Sequence, residues 1–434
     1  MSAPTPSPQP ALVRALGRWT LTALVINGVI GSGIFGLPDD VARELGPHAL
    51  WAYALAALCV GALMGVYAEL GSRYPEAGGS YLWARDAFGR CAGIEMGWFV
   101  WLTRLASAAA AANLFVVYLG EFWPGATQPV VRAVILASLI GGLAFVNFLG
   151  VQAGARVSNI FTVAKLLPLL VLVLGGLLLA APVAPVPAPV SAPGAGNWLN
   201  AFVVLMFAYG GFETALIPLA EAKDPRRDVP FALLIGLIVI AGFYTLLHYV
   251  AMATVPNLAA SERPLADAAR AFLGDNGARF VATGAMVSTF GFLCAQLVAV
   301  PRLTYAFAEK GDFPAVFGRV HERFRTPHAS ILLWGLLVFV LALYGSFIWN
   351  AVLSVASRII SYTMVCAAFV VLRRRAAPPG SWRLPAGHLL AAVAFAFCVL
   401  LITRMNRDHG VIVGVVGVAA AANWLAVRRR PPEN

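Results

Sequence analysis

Residues 25–38 read VINGVIGSGIFGLP, and residues 202–225 read FVVLMFAYGGFETALIPLAEAKDP. Both are long apolar runs interrupted by glycine. Gly28, Gly31, Gly33 and Gly36 crowd the first; Gly210 and Gly211 cut the second, with Pro218 beyond them. Glycine in a helix interior costs about 1 kcal/mol against alanine. Inside a bilayer, backbone groups freed by a break also need new partners. Two readings of the first stretch stand. One is close helix packing through small residues. The other is an unwound segment whose backbone lines a cavity. Gly31-Ser32-Gly33 is denser than a GxxxG packing face requires, which favours the second. GSGIFG at 31–36 also fits GxGxxG, but a dinucleotide site needs a short strand before it and an acid about 20 residues on. Here the preceding run is too long, and WAYALAALCV at 51–60 carries no acid.

Composition agrees with a membrane setting. Of 434 residues, 60% are hydrophobic and 12% charged, where soluble domains carry about 25% charged residues. Mean hydropathy is +0.79. A soluble fold of this length could not hide so much apolar surface, so a cytosolic enzyme, a disordered chain and a disulfide scaffold are excluded. The net charge of +11 reflects basic residues at membrane edges rather than nucleic-acid binding. Cys59, Cys91, Cys294, Cys366 and Cys398 are scattered through apolar runs and read as buried free thiols. No metal site and no cofactor is expected.

A spanning helix needs about 20 apolar residues. Such runs fall at 19–44, 47–70, 91–120, 129–149, 157–181, 198–221, 230–255, 279–308, 329–346, 348–372, 387–403 and 410–427. The expectation is an all-α integral membrane protein of twelve helices. Residues 1–18 and 428–434 form tails, and PVAPVPAPVSAPGAGN at 182–197 forms a Pro-rich linker. With the termini in the cytoplasm, twenty-one lysines and arginines face that side. Seven face outside: Arg43, Arg132, Arg263, Arg270, Arg279, Arg404 and Arg407. The positive-inside rule therefore puts both termini in the cytoplasm. A bacterial-type inner membrane is the expected location, and the loops hold nothing of domain size.

Charges at membrane depth mark function. Glu213 follows the second break. It either caps the segment after it or handles protons or substrate. Lys165, in TVAKLLPLL at 162–170, lies nine residues beyond Arg156, about 13 Å along the helix axis and too deep for easy snorkelling. Arg104 and Arg358 could pair with Glu213 or face an anionic substrate side chain. His248 reads as a hydrogen-bonded packing residue. Broken helices in corresponding positions of two halves point to a transporter with inverted repeats. Half-helix N-termini suit a carboxylate, and exposed carbonyls suit an ammonium. Bare physics thus reaches a small zwitterionic substrate near the midplane.

At these residues the sequence resembles the amino acid–polyamine–organocation superfamily of amino acid permeases. The resemblance rests on GVIGSGIFGLP (28–38), PEAGGSY (75–81), FAYGGF (207–212) with EAKDPRRDVP (221–230), RLTYAFAEKGDFP (302–314) and TPHAS (326–330). It implies a LeuT-like five-plus-five inverted repeat, residues 19–181 and 198–375, with two further helices in 376–427. It implies that the amides of Gly31, Ser32 and Gly33 bind the substrate carboxylate. Carbonyls near Val29, Ile30, Phe207 and Gly210 would receive the amino group, and Ala208 would belong to the same substrate-binding stretch. Phe207 would gate the site, and Tyr209 and Gly211 would complete the unwound segment. Lys165 would replace a sodium ion, with Ser288 and Thr289 as neighbours; an amine there can load and release a proton.

The function expected is secondary active amino acid transport by alternating access, as proton-coupled symport without sodium. The alternatives are an exchanger of the same fold, or a non-transporting sensor or channel. An enzyme is not expected: the six histidines are scattered, and neither HExxH nor GxSxG occurs. No GxxxxGK[ST] motif occurs either, so energy would come from a gradient. The partners expected are an amino acid, protons and the lipid bilayer, and no nucleic acid. The oligomeric state stays open.

Overall fold

The computed structural model describes residues 15–74, 78–150, 155–180, 192–309 and 311–428. The N-terminal tail to residue 14, the start of the 75–81 signature, residues 182–191 of the Pro-rich linker, Lys310 and the last six residues lie outside the described set. Among the described residues there is no strand, only an isolated bridge between Leu16 and Ala222. Nine helical segments among the described residues are long and apolar enough to cross a membrane. Three shorter apolar helices, Ala164–Leu179, His328–Tyr344 and Gly387–Ile402, accompany them.

The helices are α1 (Arg18–Val29), α2 (Ser32–Gly36), α3 (Pro38–Leu45), α4 (Ala49–Arg73), α5 (Ser80–Phe88), α6 (Arg90–Leu119), α7 (Pro129–Phe148), α8 (Ala155–Leu179), α9 (Ala195–Tyr209), α10 (Pro225–Thr254), α11 (Pro264–Glu309), α12 (His328–Tyr344), α13 (Phe347–Arg373), α14 (Gly387–Ile402) and α15 (Arg407–Val427). The run at 19–44 is therefore three helices rather than one. Besides the break at Ile30–Gly31, the chain turns again at Leu37, where Pro38 starts a helix whose first turn holds Asp39 and Asp40. Proline suits that position because a helix's first amides have no intrahelical acceptor. Two connections read as plain loops are helical, α5 and the first ten residues of α11. Gly274, at φ +66, separates those ten from the long helix beyond it.

The inner helices and the outer ones differ as bilayer solvation requires. α6 and α13 are mostly buried, whereas α7 and α15 expose Val130, Val134, Phe145, Val411, Val415 and Val418. Hydrocarbon tails can cover such faces, so they need no protein partner. Close approach at the centre uses glycine. A Cβ on Gly284 of α11 would sit 2.5 Å from the Pro168 ring of α8. Only Cys366 and Cys398 of the five thiols are fully buried; Cys59, Cys91 and Cys294 are half-buried.

Polar contacts gather at the two ends. At one, Glu121 pairs with Arg263 and Arg270, Arg43 meets Asp39, Asp40 and the Ala259 carbonyl, and Arg404 bonds Asn200. These arginines belong to the group predicted outside. At the other end, Asp312 accepts from Tyr81 and Arg90 and lies 3.6 Å from Arg85. There too, Glu69 is almost fully buried between Arg73, at 3.2 Å, and Arg373, at 3.4 Å, and accepts from the Leu384 amide at 2.8 Å. Removing one member of a buried ion pair strands its partners, at a cost of about 3–5 kcal/mol. Glu69→Gln should therefore lower the thermal unfolding midpoint of the detergent-solubilised protein markedly. An unchanged midpoint would mean that water already reaches this cluster.

Candidate functional site

The two breaks meet each other. α1 ends at Val29; Ile30 is extended (φ −70, ψ 96), and α2 restarts at Ser32. α9 ends at Tyr209, and Gly211 adopts φ +109, a left-handed conformation that disfavours any side chain. Two 3-10 turns, Phe212–Leu216 and Leu219–Glu221, then replace the α half-helix expected after the break. A Cβ on Gly211 would lie 2.3 Å from the Gly28 carbonyl oxygen, and one on Gly33 would lie 2.8 Å from the Ala208 Cα. The glycines thus serve close backbone packing and line a cavity as well. The two readings were not exclusive.

The carbonyls freed by the breaks already have donors. Lys165 of α8 donates from Nζ to the carbonyls of Asn27, at 2.7 Å, and Ile30, at 2.6 Å. The Tyr244 hydroxyl serves those of Val29, at 3.1 Å, and Ala208, at 3.3 Å. The Gly210 amide takes the Phe207 carbonyl at 3.2 Å. The protein's own side chains and amides thus already donate to the carbonyls of Val29, Ile30, Phe207 and Ala208, and each of these oxygens keeps a second lone pair. Ile30, Ala208 and Tyr209 are buried in the packing rather than in the cavity wall. Tyr209 donates to the Tyr53 carbonyl at 3.1 Å. Among the described residues, Ser288 is not bonded to Lys165, and its buried hydroxyl has no hydrogen bond.

Between the breaks and helices α6, α11 and α13 lies a cavity of about 50 Å³. One water needs roughly 10–15 Å³ of such space, so in this conformation there is room for a few waters. Val29, Gly31, Ser32, Gly33, Phe207, Gly210 and Gly211 line it from the breaks, and Arg104, Glu213 and Arg358 line it too. Phe207 closes one side, its ring set edge-on to Phe347 at 6.1 Å. Thr103, Ser107, Phe292 and Gln296 add to the wall, with Gly28 and Thr214 beside the breaks. The first four stand on unbroken helices, where an isolated threonine or glutamine carries no pattern beyond a polar residue in an apolar run. Tyr244 and Tyr362 gave no stronger signal.

Glu213 is bound from three directions. Its Oε2 accepts from the Gly211 amide at 3.0 Å and the Tyr362 hydroxyl at 3.1 Å, and its Oε1 lies 3.4 Å from Arg358 Nε. It therefore caps the break and also holds a guanidinium at the cavity. The Arg358 fork lies over Gly210 so closely that a Cβ there would be 1.6 Å from Nη1. His248 corrects another expectation. It is fully buried beside the Tyr53 ring at 4.8 Å, yet neither ring nitrogen has a hydrogen bond among the described residues.

Comparison with known proteins points the same way. The sequence profile of the amino acid permease family matches residues 16–421. The mouse protein named cationic amino acid transporter 4 is 31% identical over 86% of this chain. The chain spans 62% of that relative's length. The serine/threonine exchanger SteT of Bacillus subtilis is 27% identical over 94% of this chain and 96% of its own length. A vacuolar cationic amino acid transporter of Arabidopsis thaliana is 28% identical, covering 83% of this chain and 64% of itself. A multi-pass, all-helical chain with two breaks meeting at a polar cavity thus belongs to the amino acid permease family, a family of transporters rather than enzymes.

Gly210→Ala tests the site's geometry. The added methyl must expel the Arg358 guanidinium and break its pairing with Glu213. Amino acid uptake should fall by about tenfold or more, equivalent to at least ~1.4 kcal/mol, in protein that still elutes as a single species in detergent. Wild-type uptake would mean that Arg358 moves aside without consequence.

Proposed function

We propose that this chain is a secondary active transporter that carries an amino acid across a membrane by alternating access at the cavity between the two breaks. The observation that carries this is the backbone-to-backbone contact of two interrupted helices, with charged side chains set around it. The first amides of α2, at Ser32 and Gly33, have no intrahelical acceptor and, with Gly31, would receive the substrate carboxylate. Phe207 would close over the bound molecule. The fold is read as a LeuT-like five-plus-five repeat in which the helices carrying the breaks rock against the rest. The clustering of Arg43, Arg263, Arg270 and Arg404 at one end supports cytoplasmic termini; the membrane is read as a plasma-type membrane.

The reading is of proton coupling without sodium. Lys165 holds the carbonyls of Asn27 and Ile30, and oxygens of this kind would otherwise suit a metal cation. As an ammonium, Lys165 clamps α1 to α8 by two charge-assisted hydrogen bonds, which are roughly twice as strong as neutral ones. Loss of its proton weakens the clamp and frees the break to move. Proton release on one side and loading on the other would tie that motion to a proton gradient. Exchange is the second reading, favoured by the exchanger SteT, which this chain matches over nearly the whole of both lengths.

Uptake into proteoliposomes separates the two. Symport predicts accumulation of a labelled amino acid driven by an inward proton gradient, with the gradient's effect lost in Lys165→Ala. Exchange predicts uptake only against internal amino acid, gradient or none. Failure of every amino acid tried, from folded protein, would overturn the transport reading itself.

A further inference from the structure

The charges around the cavity do not balance. Arg104 and Arg358 both line it, and Glu213 is the one carboxylate among the described residues that does. Glu213 is committed to Arg358, Tyr362 and the Gly211 amide. Among the described residues, no carboxylate lies within ion-pair distance of Arg104, and its guanidinium makes no hydrogen bond. Lys165 adds no negative charge and is turned to the carbonyls behind α1. The cavity therefore carries one positive charge in excess at membrane depth, where an unpaired charge is costly and marks function.

Donors converge on the same space. Gln296 of α11 is 6% exposed and lines the cavity, and its side-chain amide has no hydrogen bond among the described residues. Arg358 is 7% exposed; its Nε is taken up by the ion pair with Glu213 at 3.4 Å, and its Nη1 is buried without a hydrogen-bond partner among the described residues. Of the cavity's hydroxyls, Thr103 donates to the Phe99 carbonyl, Thr214 to the Gly211 carbonyl, and Ser107 is paired with Ser354 at 2.7 Å; that leaves Ser32. The open hydrogens thus belong to two guanidiniums, one carboxamide and the Ser32 hydroxyl. That set matches a carboxylate, which accepts several donors and pairs best with a guanidinium fork.

We infer that the amino acid carried here bears a second anionic group on its side chain, which Arg104, Gln296 and Arg358 receive. The inference rests on the reading of the cavity as an amino acid site and narrows it. A neutral zwitterion brings as much positive charge as negative and leaves the excess in place. A dicarboxylic amino acid removes it. A cationic amino acid adds to it, so the site does not suit the substrate stated in the names of the mammalian and plant relatives.

The test is counterflow in proteoliposomes of the full chain, with labelled L-glutamate, L-aspartate, L-serine and L-lysine in parallel, with and without chloride. The expected result is L-glutamate or L-aspartate flux exceeding L-lysine flux by about tenfold or more. Arg104→Ala should lower the glutamate-to-serine flux ratio by a similar factor, and Arg104→Lys should retain more of it. L-lysine flux above both acidic amino acids would overturn the inference and leave the transport reading standing. So would L-serine flux that exceeds both and requires chloride, since an inorganic anion would then supply the missing charge. No flux of any of the four, from protein that unfolds cooperatively on heating, would overturn the transport reading and this inference with it. The wild-type panel decides the question even if the Arg104 variants do not fold.

Discussion

Every backbone group freed by a helix break in hydrocarbon must find a partner within the protein. Two breaks set side by side double that demand, and the centre of this molecule is built to meet it. One lysine and one tyrosine, each from a different helix, take the carbonyls of Asn27, Val29, Ile30 and Ala208. The Tyr118 hydroxyl takes that of Phe35 beyond the first break. Glu213 takes the amide of Gly211. Without those side chains neither interruption would be stable at depth, and the cavity between them would have no walls.

The same contacts connect the site to moving parts. Lys165 joins the first break to α8, and Tyr244 joins both breaks to α10. Glu213 joins the second break to Arg358 and Tyr362 of α13. A change of charge or occupancy at the centre therefore acts on helices that reach both ends of the bundle. Ion-pair clusters stand at those ends, around Glu121 on one and around Asp312 and Glu69 on the other. Aromatic rings fill the space beside the break: Tyr362 stacks on Phe212, and Tyr67 meets both edge-on.

Much of this was legible in the sequence because each break is written locally. Adjacent glycines inside an apolar run cost helix stability wherever the run is placed, so residues 25–38 and 210–211 announced themselves. The depth of Lys165 and Glu213 came from counting along their own helices. The second turn at Leu37 and the helical loops were not announced. Pro38 and Gly274 are single punctuators among forty-one glycines and twenty-eight prolines, and no local rule separates them from the rest. Thr103, Gln296 and Tyr244 escaped for a related reason: a lone polar residue on an unbroken helix faces a cavity or a neighbour according to packing alone.

The sequence by itself determined the class of protein and the places where the helices fail. Hydropathy, charge placement and glycine spacing are properties of single segments. The tertiary structure decided which groups meet. It gave carbonyls near the breaks to Lys165 and Tyr244, left His248 packed without a hydrogen bond among the described residues, and put Arg104 and Arg358 on the wall of one cavity. Nearly all of those outcomes depend on residues more than one hundred positions apart in the chain; the bond from Tyr244 to Ala208, at 36, is the exception. Pairing of that kind is set by how the bundle packs, because a side chain's partner at membrane depth is whatever the neighbouring helix brings to the same level.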